Sequence, residues 1–259
     1  MADRLQKRAQ CVTPLRTVAA RQLGCSALEA FPVKKGSPWN DFAKVYDLEV
    51  SSHEPVVVAQ RTGGFSYDPV FVYQCQNLSK THIGLLQHTQ HRSFVTVHEV
   101  YHDRNNWYIV TEPMAHSLQA AAGNRFLDSS MVAAIIGQMT TAMAHLEDLG
   151  LRVGSLGCSD ALLHLSGQVK LDSKDDIRRL GGVMMELMDG YIKDHGSVVV
   201  DEPSRWSREN LQFLVATTSA SSAKELLKHP FLDSWKKEKL QAVASFVHRQ
   251  LFNPKKATA

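Results

Sequence analysis

The sequence predicts an α+β chain in which a strand-rich first half precedes a mainly helical second half. Three observations predict it. Five short runs rich in Val, Phe and Tyr fall between Trp39 and Pro113. From Met131 onward, apolar residues recur at steps of three and four instead of two. The switch falls near one point, Glu112 to Met114, so the two patterns form successive modules rather than an alternating βα order.

Residues 1–38 read as a basic, poorly ordered lead-in. Arg4, Lys7, Arg8, Arg16, Arg21, Lys34 and Lys35 face only Asp3 and Glu29, and Gly36-Ser37-Pro38 closes the segment. An Arg-rich, acid-poor start also suits an organelle-targeting peptide, but Asp3 and the lack of an amphipathic stripe argue against one. The expected strands are Phe42 to Val50, Pro55 to Gln60, Pro69 to Gln74, Phe94 to Tyr101 and Trp107 to Thr111. Gly63-Gly64 and Asp103 to Asn106 serve as hairpin turns. One helix, about Ser79 to Gln90, interrupts the strands, with Ile83, Leu85 and Leu86 on its apolar side.

The second half opens with an amphipathic helix carrying Met131, Ile135, Met139, Ala142, Leu146 and Leu149. Asp128 is its expected N-cap and Gly150 its C-terminal stop. Two short strands follow, near Leu162-Leu163 and Val169 to Leu171, turning at Ser166-Gly167. Ile177 to Met188 is an apolar helix, and a helical tail spans about Ser222 to Leu251. The division is therefore 1–38 lead-in, 39–252 folded domain (39–113 and 114–252), and 253–259 tail.

Composition narrows the function classes. The chain has 259 residues, 44% hydrophobic and 21% charged, an ordinary globular balance. A formal charge of +3 is too small to imply a nucleic-acid partner. No apolar run reaches the roughly 18 residues of a membrane span. Cys11, Cys25, Cys75 and Cys158 show no metal or CxxC spacing, and no secretory segment precedes them. Reduced thiols in the cytosol or nucleus are expected. Among the 12 histidines, His88 and His91 lie three apart and His98 and His102 four apart. Four residues of strand span about 13 Å, so the second pair cannot share an ion, and surface or packing roles are expected.

Four stretches carry a resemblance. They are Ser222-Ala223-Lys224-Glu225-Leu226-Leu227-Lys228-His229-Pro230-Phe231-Leu232; Asp176 to Gly181 with Glu186-Leu187; Ser159 to Leu163 followed by Gly167 to Leu171; and Trp107 to Leu118. In this order they resemble a eukaryotic protein kinase, closest to the Sterile-20-like kinases, over about residues 40–235. The resemblance implies a bilobal kinase-like fold, with a five-stranded N-lobe bearing one helix and a truncated, mainly helical C-lobe. Thr111 takes the gatekeeper position and Glu112 to Met114 the hinge.

Kinase catalysis needs a glycine-rich phosphate cover, a lysine held by a helix carboxylate, a base near the acceptor hydroxyl, and magnesium ligands. The residues at the matching positions lack them. Ser51-Ser52-His53-Glu54-Pro55 has no glycine, and Glu54 would repel phosphate. The lysine position falls on Tyr73 or Gln74, or on Gln60 or Arg61 if the third strand is Val56 to Gln60. The partner glutamate falls on His82. In the loop Leu151 to Asp160, the base becomes Ser155 or Leu156, the lysine Gly157 or Cys158, and the magnesium asparagine Asp160 or Ala161. The metal aspartate position is Ser173, with Asp172 one residue early and so on the opposite side of an extended chain. Leu171 is followed almost at once by Asp176, leaving no room for an activation segment, and the arginine expected near Ala220 is missing.

No catalytic, cofactor-binding or metal-binding residue is therefore expected. The resemblance implies a pseudokinase, a scaffold, adaptor or allosteric regulator of a protein partner such as an active kinase. Neither a nucleic-acid nor a membrane partner is expected, and nucleotide binding is weak or absent. The alternative is an atypical nucleotide-binding switch or weak phosphotransferase using Asp160 and Asp172.

Overall fold

The computed structural model describes residues 31–251 except 49–55, 64–67, 77, 115, 152–156, 172–179, 192–198 and 234. Its first half is a mixed six-stranded sheet: β1 (Val33–Lys35), β2 (Phe42–Leu48), β3 (Val56–Arg61), β4 (Pro69–Cys75), β5 (Val97–Asp103) and β6 (Asn106–Thr111), in the order β1-β5-β6-β4-β3-β2. Five of these correspond to the runs read from sequence. The sixth, β1, lies in the segment expected to be poorly ordered. It pairs parallel to β5, with Val33 opposite Val100 and Lys35 opposite His102, so the sheet has six strands, not five. The fourth run also starts later than expected. Phe94 N–H bonds back to His91 O at 2.9 Å and makes only an isolated bridge to Leu171.

Helix α1 (Lys80–His88) sits between β4 and β5 in sequence and covers one face of the sheet. There Ile83 packs with Phe31, Val97 and Val100. Strand alternation assigns the faces. Val72 packs on one side with Phe42, Ala59, Tyr101 and Val110. Phe71 packs on the other with Val56 and Val58. Cross-strand pairs Phe71–Thr111 and Tyr73–Ile109 join the Phe71 side to the α1 side.

The sheet ends at Thr111. Next comes β7 (His116–Ser117), which belongs to a separate three-stranded sheet with β8 (Ala161–Leu163) and β9 (Val169–Leu171). The second half is organised around α2 (Ser129–Asp148). Asp128 caps it by accepting from Met131 N–H, and Gly150 follows it at φ +66°. Its Ile135, Ile136, Met139 and Leu146 are fully buried; the helix packs against β9 and α3 (Leu180–Asp189), and α4 (Arg208–Ser219) packs on α3. The expected helical tail is broken. A four-residue α5 (Ala223–Leu226) and two 3-10 turns precede α6 (Gln241–Leu251), because Pro230 cannot continue a helix.

The two halves meet along β9. Val95 N–H donates to Leu171 O at 3.3 Å, and Leu171 N–H to Ser93 O at 2.9 Å. Gln168 Nε2 donates to Arg92 O at 3.1 Å.

Candidate functional site

The kinase resemblance places its phosphate-binding lysine on the third strand. β2 pairs with β3 and β3 with β4, all antiparallel, so counting from Phe42 the third strand is Pro69–Cys75. This removes Gln60 and Arg61 from the lysine position. Of the two remaining residues, Tyr73 shares the face of Phe71, Val56, Val58 and Leu48. Gln74 points away, exposed, and donates to Asn106 Oδ1 at 3.4 Å. This face of the sheet is thus tiled by apolar and aromatic side chains: Phe71 is 7% exposed and Val56 1%. Described cavities of about 220 and 200 Å³ lie elsewhere, among Ser129, Asn210 and Trp235 and among Arg92, Gln138 and Lys237.

The other positions have local duties. His82 completes a capping box at the start of α1. Its N–H donates to Ser79 Oγ at 3.2 Å, and its Nδ1 sits 3.4 Å from Ser79 N. The ring is therefore held against its own helix terminus. Asp160 accepts from Gly157 N–H at 2.8 Å, closing a 3-10 turn. Cys158 is fully buried. Burial, with the Glu186 carboxylate beside it, pushes its thiol well above the usual range, so it is not a thiolate nucleophile. Thr111 is buried and donates to Glu112 O at 3.0 Å. The glycine-free turn Ser51 to Pro55, the loop residues Ser155 and Leu156, and Asp172, Ser173 and Asp176 lie outside the described residues. Among the described residues, no group of three or more His, Cys, Asp or Glu could hold a metal ion, and no helix is long and apolar enough to cross a membrane.

The lysine that does lie at the junction of the halves is Lys170 of β9, 4% exposed. Its ammonium pairs closely with Glu112 and donates to Thr96 Oγ1 at 3.3 Å. Thr96 N–H donates to the same carboxylate oxygen at 2.6 Å, and Glu112 N–H returns to Thr96 O at 3.1 Å. Burial pushes the Glu112 carboxyl up, but Lys170 and the two Thr96 donors outweigh it and hold the acid below its ordinary range. The segment 112–114 is therefore fastened to β9 by an ion pair instead of being left free to flex. Nothing in the local sequence signals this, since Lys170 sits in an alternating run and its partner lies 58 residues away.

Two more polar clusters escape a local reading. Lys34 of β1 reaches Asp41 at 2.8 Å and Glu99 at 3.0 Å. Arg61 pairs closely with Glu99, and the Tyr101 hydroxyl donates to Asp41 at 2.6 Å. Burial and the two carboxylates push the Tyr101 phenol up, so it stays a neutral donor. This network ties β1 to β3, β5 and the turn before β2. At the start of β7, buried His116 contacts His248 of α6 at 3.0 Å. Burial, then His248, lowers His116 to about 4. No protein-family model matches this chain, and no curated protein matches it.

Proposed function

We propose that this chain is a pseudokinase: a bilobal kinase-like scaffold that binds a protein partner and does not transfer phosphate. The observation that carries the reading is the apolar face of the sheet around Tyr73. Phosphoryl transfer depends almost wholly on positioning and on neutralising phosphate charge. Tyr73 stands at the third-strand position where a lysine is needed, packed with Val56, Val58 and Phe71. The buried lysine at the junction, Lys170, is committed to Glu112. Asp160, the residue best suited to a metal by type, is used as a turn cap.

The order of elements supports the same reading. Five antiparallel strands interrupted by one helix are followed by the segment 112–114, a long buried helix, a short hairpin and a helical remainder. The residues that fold such a domain are kept while the reactive ones are replaced. The role that remains is recognition by surface, with an active kinase as the partner class the resemblance implies and the cytosol or nucleus as its place.

A thermal-shift measurement with ATP and magnesium tests this. A native-state ligand at 100 times its dissociation constant adds about 2.7 kcal/mol. At about 2–4 °C per kcal/mol for a chain of this size, that is about 5–10 °C. The expected shift at millimolar ATP is near zero with or without magnesium. A reproducible magnesium-dependent rise of several degrees would instead make the chain a nucleotide-binding switch.

A further inference from the structure

Two imidazoles meet where the turn after α1 reaches the C-terminal end of α2. His91, in the turn after α1, lies flat on His145 in the last turn of α2, with ring centroids 4.1 Å apart and planes 13° from parallel. Phe94 closes one side, tilted towards both rings at 6.4 and 6.3 Å. Ser93 N–H donates to His91 Nδ1 at 3.3 Å, which leaves the His91 proton on Nε2. His145 Nε2 is buried and has no hydrogen-bond partner. Near-parallel rings direct their lone pairs side by side instead of towards one point, so the pair is not built to share a metal ion.

The surroundings favour the uncharged rings. The last residue of α1 is His88, the turn after it contributes Arg92, and α2 contributes Asp148, which is already paired with Lys224 of α5. Burial holds both imidazoles below the ordinary value of 6.5. His145 and then Arg92 depress His91 further, while at His145 the pull of Asp148 is opposed by His88. A proton on either ring would enter a half-buried stack beside Arg92, with its nearest carboxylate already engaged. A second proton would bring two like charges face to face.

The segment that depends on this stack is the one that joins the halves. Phe94 N–H to His91 O, Val95 N–H to Leu171 O and Leu171 N–H to Ser93 O all arise within four residues of His91 or bond to that stretch. We propose that the His91–His145 stack is a proton-operated catch. Neutral, it seats residues 89–96 on α2; protonated, it releases them and loosens the junction between the sheet and the helical half. This does not depend on the kinase-like reading and goes beyond it.

The test is a pH titration of the full chain from pH 8 to 4.5 by NMR, reading the histidine rings and backbone-amide protection factors together. His91 and His145 should titrate as a coupled pair below 6.5. Protection at Phe94, Val95 and Leu171 should fall severalfold between pH 7.5 and 5. Val58 and Val72, inside the sheet, should hold. His145→Phe keeps a flat ring but takes no proton, so the fall should shrink to the part His91 alone contributes. If that variant is poorly folded, His145→Gln gives a second readout, in which His91 should move up towards 6.5. Independent titration of the two rings at the ordinary value, unchanged protection at Val95 in the parent chain, or a fall of undiminished size in the folded phenylalanine variant would each overturn the catch.

Discussion

Replacing Lys170 by methionine should break the fastening between the segment 112–114 and β9 while keeping the volume of the side chain. The magnitude follows from the burial of each partner. Removing one member of a fully buried ion pair costs about 3–5 kcal/mol, because the other charge is left uncompensated. Here the Lys170 side chain is 5% exposed but that of Glu112 is 23% exposed, and Glu112 keeps its bond from Thr96 N–H at 2.6 Å. The expected loss is therefore smaller, about 2–3 kcal/mol, or about 4–12 °C in melting temperature for a chain of this size. Urea unfolding followed by circular dichroism measures it. The double variant Lys170→Met with Glu112→Gln should recover part of the loss, with a coupling energy of about 1–3 kcal/mol. The pH dependence has a definite sign. The folded Glu112 carboxyl lies below its ordinary 4.5, so the pair stabilises above that value and is lost as pH falls through the lower, folded value. Lys170→Met should flatten this acid limb. A loss under about 0.5 kcal/mol, the size of an exposed pair, would refute the assignment of Lys170 as the fastening.

Two further substitutions test the packing. Gly167→Ala should cost about 2–4 kcal/mol in the same unfolding experiment, since φ is +83° and the added Cβ would lie 2.0 Å from Lys237 O, a backbone atom that cannot swing aside. Phe71→Ala should cost about 3–5 kcal/mol as a buried aromatic deletion, yet leave the melting temperature insensitive to magnesium-ATP. A gain of magnesium-dependent stabilisation in that variant would mean Phe71 alone blocks an otherwise intact site.

The sequence spoke most clearly where the structure is decided locally. α2 runs between Asp128 and Gly150 because its cap, its apolar spacing and its stop are all within 23 residues of each other. The strands β2 to β6 were legible from β-branched and aromatic runs between turn residues. β1 was not, since Val33-Lys34-Lys35 carries no alternation. It becomes a strand because β5 offers an edge and because Glu99 and Asp41 receive Lys34. The candidate site divides the same way. That Tyr73 rather than Gln74 shares the face of Phe71 and Val56 follows from pairing register, which one strand cannot reveal about itself. Lys170 looks like a solvent-facing residue in its run and is buried only because Glu112 and Thr96 meet it from the other half. His82, set at a carboxylate position by counting, turns out to serve the helix terminus three residues behind it.

A pseudokinase works without phosphoryl transfer. Purified protein incubated with radiolabelled ATP, magnesium and a generic protein substrate measures this. Label incorporation should equal a matched blank, in both the substrate and the chain itself, with no difference between the parent and Asp160→Ala. Incorporation above the blank that disappears in Asp160→Ala would contradict this and make Asp160 a metal ligand instead of a turn cap.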